Sequence, residues 1–213
     1  MEQKKFSWFF IGLILTFSLC FILDNFLEMK PISLFGIPAT VGLLVIPISY
    51  IVGDTVTEVY GIGAVRRMLA ATFLAYAFFV GLLYAACVIP AAEGWDGEEH
   101  FSYIFSMSPG IMFYSILAFI CGNMTNAWIM AHMKKRYARY GFKARAIVST
   151  IFGEGVDSVV FFAPVFWGVL PPMEVAKMCI TAVIMKTIYE ACILPITCRV
   201  VRLARRAEGM AQE

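Results

Sequence analysis

The chain alternates long apolar runs with short polar breaks. Runs long enough to cross a bilayer fall near residues 6–23, 36–60, 68–90, 109–131, 147–170 and 175–200. About 20 apolar residues in helical form span the ~30 Å hydrocarbon layer. The pattern therefore predicts an all-α membrane protein with six transmembrane helices in one bundle. The first run follows Lys4 and Lys5 as a signal peptide would, but it lacks a small-residue cleavage site and ends in FILDNF, so it reads as a retained span. Nothing between the runs is long enough for a soluble domain. Residues 1–213 read as a single six-helix transmembrane domain with a short N-terminus and a basic C-terminal tail.

The polar breaks sort by sign. Lys4 and Lys5, Arg66 and Arg67, the loop HMKKRYARYGFKAR and the tail RVVRLARR fall on one side of a six-span topology. DNFLEMK, the acidic loop AAEGWDGEEH and the PPME turn fall on the other. Basic residues in short loops mark the cytoplasmic face, so both termini are expected in the cytoplasm.

The apolar pattern is violated at six ionisable positions away from the run ends: Asp54 and Glu58, Glu154 and Asp157, Lys186 and Glu190. Each isolated charge costs about 2.5–3.5 kcal/mol at mid-bilayer, hence on the order of 15–20 kcal/mol for six. Whole-protein stability is about 5–15 kcal/mol, so these groups must face one another, water or a ligand. Spacings of three and four place each pair on one helix face. Asn123, Thr125 and Asn126 in GNMTN add polar groups in the fourth run. SYIVGDTVTE and STIFGEGVD look like copies, but inverted repeats would put them at mirrored depths. At a shared depth they read as facing each other. Five carboxylates then face one cation, and Lys186 is placed to neutralise one of them, Glu190 being its helix neighbour. Pro38 and Pro47 interrupt the second run, as in the broken helices of transporter sites. Tyr50, Tyr60, Phe161, Phe162, Trp128 and Trp167 lie near the polar layer and are candidates to stack on a planar ligand.

Composition agrees with the membrane reading: 61% of residues are hydrophobic, 15% are charged, and mean hydropathy is +0.79. A net charge of +2 gives no reason to expect a nucleic-acid partner. The basic tail suits contact with anionic membrane lipid. Cys20, Cys87, Cys121, Cys179, Cys192 and Cys198 sit in the apolar runs without a CxxC pair and read as buried thiols. His100 and His132 are far apart, and no Gly-rich phosphate loop or nucleophile elbow occurs. No metal, no cofactor and no enzymatic activity are expected.

Four stretches in this order carry a family resemblance: GDTVTEVYG with the Arg66–Arg67 pair, GNMTNAWIMAHMKKR, RAIVSTIFGEGVDSVVFF and MKTIYEACILPIT. Together, over roughly residues 36 to 206, they resemble the queuosine precursor transporter family, also called the vitamin uptake transporter group. The resemblance implies a six-helix transporter of the bacterial inner membrane that imports 7-deazaguanine bases such as preQ0 and preQ1. Asp54, Asp157 and Lys186 match recurrent intramembrane polar residues of that family, while Glu58, Asn126 and Glu154 match one branch of it. With Asn123 and Glu190 these form the candidate substrate-binding set. A guanine-like edge presents two adjacent donors that one carboxylate accepts in parallel, and an aminomethyl arm would suit the carboxylate excess. Asn126 would read the carbonyl and a ring nitrogen, and Lys186 would act as counter-ion.

Two other functions stay open on the residues. A substrate-binding subunit of an energy-coupling, ATP-driven vitamin transporter has similar size and helix number, though the first helix, FIGLILTFSLCFIL, lacks the alanine docking motif common in such subunits. An intramembrane aspartyl protease would use Asp54 and Asp157 as a dyad, though residues 51–54 read Ile-Val-Gly-Asp rather than Gly-x-Gly-Asp. Proton coupling and facilitated diffusion with trapping are both compatible with the residues, and six helices leave room for a homodimer.

Overall fold

The computed structural model describes residues 7–27, 30–34, 37–105, 109–137 and 139–210. Lys4 and Lys5 lie outside them. Seven helices follow one another with a two-stranded hairpin near the start: α1 (Trp8–Leu27), β1 (Pro31–Leu34), β2 (Ile37–Thr40), a 3₁₀ turn (Val41–Leu44), α2 (Ile46–Tyr60), α3 (Ile62–Val88), α4 (Glu98–Phe105), α5 (Pro109–Arg136), α6 (Phe142–Val165) and α7 (Pro172–Ala207). Among the described residues five helices (α1, α3, α5, α6 and α7) are long and apolar enough to cross a membrane. The predicted series of spans thus appears in order, with one difference at the second.

Residues 36–60 are not one helix. The antiparallel hairpin pairs Pro31 with Thr40 and Leu34 with Ile37, the 3₁₀ turn follows, and only Ile46–Tyr60 is α-helical. The cause is local. Pro47 sits in the first turn of α2, where its missing N–H breaks no helical bond, so it starts the helix rather than kinking it. The other end stops at Gly61, whose φ of +80° favours glycine and whose N–H donates to the carbonyls of Val56 and Thr57. Fifteen residues give a rod of only about 22 Å, short of the ~30 Å core. A short helix whose start lies inside the bundle is supported by its neighbours, here α1, α3, α5 and α7. Thr55 and Thr57 bond back to the carbonyls of Ile51 and Gly53, which satisfies their hydroxyls without water.

The apolar core joins Phe10, Leu13 and Phe17 of α1 to Val52 and Val56 of α2, Val65, Met68 and Leu69 of α3 and Ala127 of α5. Outward-facing side chains are also apolar, including Leu74, Phe78 and Leu82 on α3 and Ile180, Ile184 and Ile188 on α7. In water such a surface would be an aggregation hazard; in a multi-pass membrane protein it is the lipid face. Helices α5 and α6 approach closely. A Cβ on Gly122 would stand 2.8 Å from Cβ of Asp157, and one on Gly153 would stand 2.8 Å from Cβ of Asn126. Small residues let two membrane helices approach this closely, and here the approach seats two of the candidate polar residues.

The bundle has two chemically different ends. Ser7, at the start of α1, donates to Glu208 just beyond α7, and the hydroxyl of Tyr60 at the end of α2 donates to the same carboxylate at 2.8 Å. The first and last described segments therefore meet at one end. Lys134 of α5, Arg145 of α6 and Arg205 of α7 stand at that same end.

Candidate functional site

Tyr50, Asp54 and Glu58 recur every four residues on α2, so they stack on one face at steps of about 6 Å. Each meets polar groups from α6 and α7 at its own level. The expectation of a single polar layer is therefore corrected: the polar groups form three rungs of a ladder that runs along α2.

The first rung lies nearest the end opposite the basic groups. The hydroxyl of Tyr50 donates to Glu154 Oε1 at 2.8 Å. Lys186 Nζ stands 2.7 Å from Glu154 Oε2 and 3.3 Å from Asp157 Oδ2. Lys186 thus bridges two carboxylates of α6 and is not paired with Glu190, the neighbour expected from spacing. Glu190 points down the ladder instead.

The second rung is Asp54 with Asn126 and Glu190, whose side chains adjoin one another, and Thr150 beside Glu190. Asp54 and Glu190 are 2% and 1% exposed. The described contacts of Asp54 run to Glu190, Asn126 and Glu58, and those of Asp157 to Lys186 and Glu154. The two aspartates therefore belong to different rungs and do not face each other as expected.

The third rung closes the basic end. Glu58, whose side chain is fully buried, receives both oxygens' bonds from Arg145 Nη2 at 2.9 Å and one from Arg205 Nη2 at 2.8 Å. Lys134 Nζ lies 3.1 Å from Glu58 Oε1 and donates to the Glu58 carbonyl at 2.6 Å. Arg145 Nη1 also donates to the carbonyl of Tyr140 at 2.7 Å. Sequence reading had placed these cations in loop and tail. The buried charge is thus five carboxylates among four cations rather than five against one.

Above the first rung opens a cavity of about 390 Å³ between α1, α2, α5, α6 and α7. Its floor and walls include Tyr50, Asn123, Glu154, Asp157 and Lys186, with Phe17, Phe21, Phe119, Phe161 and Phe162 as flat apolar sides. It occupies the half of the bundle remote from the basic end. Below it, a cleft of about 30 Å³ is lined by Asn123, Asn126, Thr150, Gly153, Glu154 and Asp157.

Of the candidate set, the cavity collects Asn123, Glu154, Asp157 and Lys186, and the cleft adds Asn126. Asp54 and Glu190 lie one rung lower, and Glu58 two. Of the candidate aromatics, Tyr50, Phe161 and Phe162 line the cavity. Tyr60 stacks on Phe10 at the basic end, Trp128 stacks on His132, and Trp167 is 85% exposed. The cavity also takes Asp24, Asn25, Ser49, Ser115 and Ser158, which sequence reading did not select. Asp24 and Asn25 looked like an outer loop but lie on the last turns of α1. Asn25 accepts from Ser115 Oγ at 3.2 Å, tying α1 to α5.

Such an arrangement is equipped to hold a small polar ligand. It offers a desolvated wall for a planar ring, carboxylate acceptors for paired donors, and an ammonium held between the acceptors. A volume of this size suits a small ligand.

Comparison with known proteins agrees with this picture. The profile of the family described as "Putative vitamin uptake transporter" matches residues 40–200. The Queuosine precursor transporter of Escherichia coli (strain K12) is 22% identical over 144 residues, which cover 68% of this chain and 62% of that relative. The chain thus matches less than two thirds of the relative's length. No solved structure matches.

Proposed function

We propose, from the premise that this chain belongs to the vitamin uptake transporter family, that it imports queuosine precursors, 7-deazaguanine bases such as preQ0 and preQ1, across a bacterial inner membrane. The observation that carries this reading is the cavity: about 390 Å³ walled by phenylalanines and bordered by two carboxylates bridged by one ammonium. One carboxylate accepts the ring N–H and exocyclic amine of a guanine-like edge in parallel, and Lys186 donates to the carbonyl. Buried groups that need such donors reject analogues lacking them. Asp157, Glu154, Lys186, Asn123 and Tyr50 are the proposed substrate contacts. Asn126 supports them from the cleft. Asp54, Glu190 and Glu58 act below the ligand.

The chain is read as one six-span domain with α2 and its hairpin as the sixth crossing. The basic end faces the cytoplasm under the positive-inside rule, with both termini there, so the cavity is on the outer half. A cysteine at Ser102 should react with an impermeant thiol reagent in intact cells, whereas one at Tyr140 should not; the reverse pattern would invert the orientation.

The function is tested by uptake of labelled 7-deazaguanine bases in a host lacking its own transporter. Expression of the chain should restore uptake, and guanine-like bases should compete better than adenine. Stronger competition by adenine would remove the donor-pair reading.

A further inference from the structure

The Asp54–Glu190 pair has no part in binding the substrate as described, yet its chemistry is the most constrained in the molecule. Both side chains are buried. They adjoin at hydrogen-bonding range. A carboxylate only accepts hydrogen bonds when ionised, and among the described residues neither oxygen of Glu190 has a well-placed charged or backbone donor. Thr150 stands beside Glu190, 2% exposed, with its hydroxyl toward the carboxylate.

Every charged group described against the pair from the surrounding helices is another carboxylate. Glu58 faces Asp54 from the same helix, and Glu154 of α6 faces Glu190; Tyr50 of α2 and Asn126 of α5 complete the neighbours. The cations of the ladder are engaged on either side, Lys186 of α7 by Glu154 and Asp157, and Arg145, Arg205 and Lys134 by Glu58. Two buried carboxylates in contact cannot both stay ionised, as in paired aspartates that share one proton.

We propose that one proton sits between Asp54 and Glu190 and is the coupling ion of transport, so that import is proton symport. The proton adds to a carboxylate oxygen of the pair and is held in a hydrogen bond to the other residue. It arrives from the cavity side, past Glu154 and the cleft at Thr150, which has room for a water. It leaves toward the basic end when the Glu58 rung opens. The same proton returns to bulk water inside, so charge and mass balance with one proton moved per base.

This inference rests on the transporter reading, and its test separates the two. The purified protein is placed in liposomes with a labelled 7-deazaguanine base. Counterflow exchange without a gradient tests transport alone. An outside pH one unit below the inside should then drive about tenfold accumulation, abolished by a protonophore and indifferent to a sodium gradient. In Glu190→Gln, counterflow should persist while accumulation is lost. Independently of any ligand, infrared spectra should show the C=O stretch of a protonated carboxyl group, absent in both Asp54→Asn and Glu190→Gln. Intact counterflow with no response to the pH gradient, accumulation driven by sodium, or absence of that band would overturn the proposal. Absent counterflow for any base would count against the transporter reading, leaving the infrared band to judge the shared proton.

Discussion

The two ends of the ladder use the same chemistry in opposite proportions. At the cavity floor one ammonium serves two carboxylates, and water reaches the rung: the side chain of Lys186 is 33% exposed and that of Asp157 26%. At the basic end three cations converge on Glu58, whose side chain is not exposed at all. The first arrangement keeps acceptor capacity unspent and accessible, which is what a ligand needs. The second saturates one acceptor and shuts out water, joining α2, α5, α6 and α7 where a path through the bundle would have to open. Charge count alone does not separate a binding site from a closure; stoichiometry and access do.

The comparison breaks most visibly at Glu58. Glu58→Gln should remove the carboxylate charge that Arg145 and Arg205 share, and removing one partner of a buried ion pair costs about 3–5 kcal/mol. Thermal unfolding in detergent should show this loss. A variant as stable as the wild type would mean that the cations reach water or lipid headgroups without Glu58, and that the rung closes nothing.

At the cavity floor the expected loss moves from stability to transport. Asp157→Asn leaves Lys186 its partner Glu154 at 2.7 Å, so the protein should insert and purify normally. An amide turns an N–H toward the ligand's N–H, and uptake should fall about a hundredfold, equivalent to about 2.7 kcal/mol. Lys186→Met should impair uptake similarly, since two carboxylates lose their shared cation. Wild-type uptake in both variants would make this rung structural and erase the distinction between the ends.

Between the ends, the α5–α6 crossing sets how closely Asn126 and Asp157 are held together. Gly153→Ala would bring a methyl to 2.8 Å from Cβ of Asn126 and 3.0 Å from the carbonyl of Gly122. Neither neighbour is the far end of a flexible chain, so the helices must part. Overpacking of this kind costs about 1–3 kcal/mol, and unfolding measurements should register it. Gly155→Ala on the same helix meets nothing within 4 Å and serves as the control.

The spans and the intramembrane acids were legible because lipid enforces them: apolar length and misplaced charge are strong local signals. What pairs with what was not. Spacing suggested Lys186 with Glu190, but residues four apart on a helix need not choose each other when α6 offers two carboxylates across a close crossing. Arg145, Arg205 and Lys134 read as ordinary cytoplasmic charge because their sequence positions are terminal, and only the shortness of α2 brings Glu58 to their level. The Pro47 and Gly61 that shorten α2 were both visible; that Pro47 would begin a helix rather than bend one depended on the hairpin before it. Asp24 and Asn25 were hidden by lying one and two residues past the end of the apolar run.

The smallest expected effect tests whether the closing rung acts as one unit. Lys134 approaches the Glu58 carboxylate to 3.1 Å, little farther than the arginines at 2.9 and 2.8 Å, but its side chain is 39% exposed against 8% for Arg145. An exposed ammonium keeps most of its hydration and gains little from one more contact with a carboxylate that already has two guanidiniums. Exposed pairs contribute about 0–1 kcal/mol, so Lys134→Met should lower stability by less than about 1 kcal/mol in that range. Arg145→Met should cost several times more, because it also abandons the carbonyl of Tyr140 and takes the Nη2 donor from both oxygens of Glu58. Unfolding of the two single variants and the double variant forms a cycle. Additive losses, dominated by Arg145, fit a buried guanidinium core with Lys134 at its rim. Equal losses from Lys134→Met and Arg145→Met would show instead that the three cations hold Glu58 only together, and that exposure is a poor guide to which of them closes the basic end.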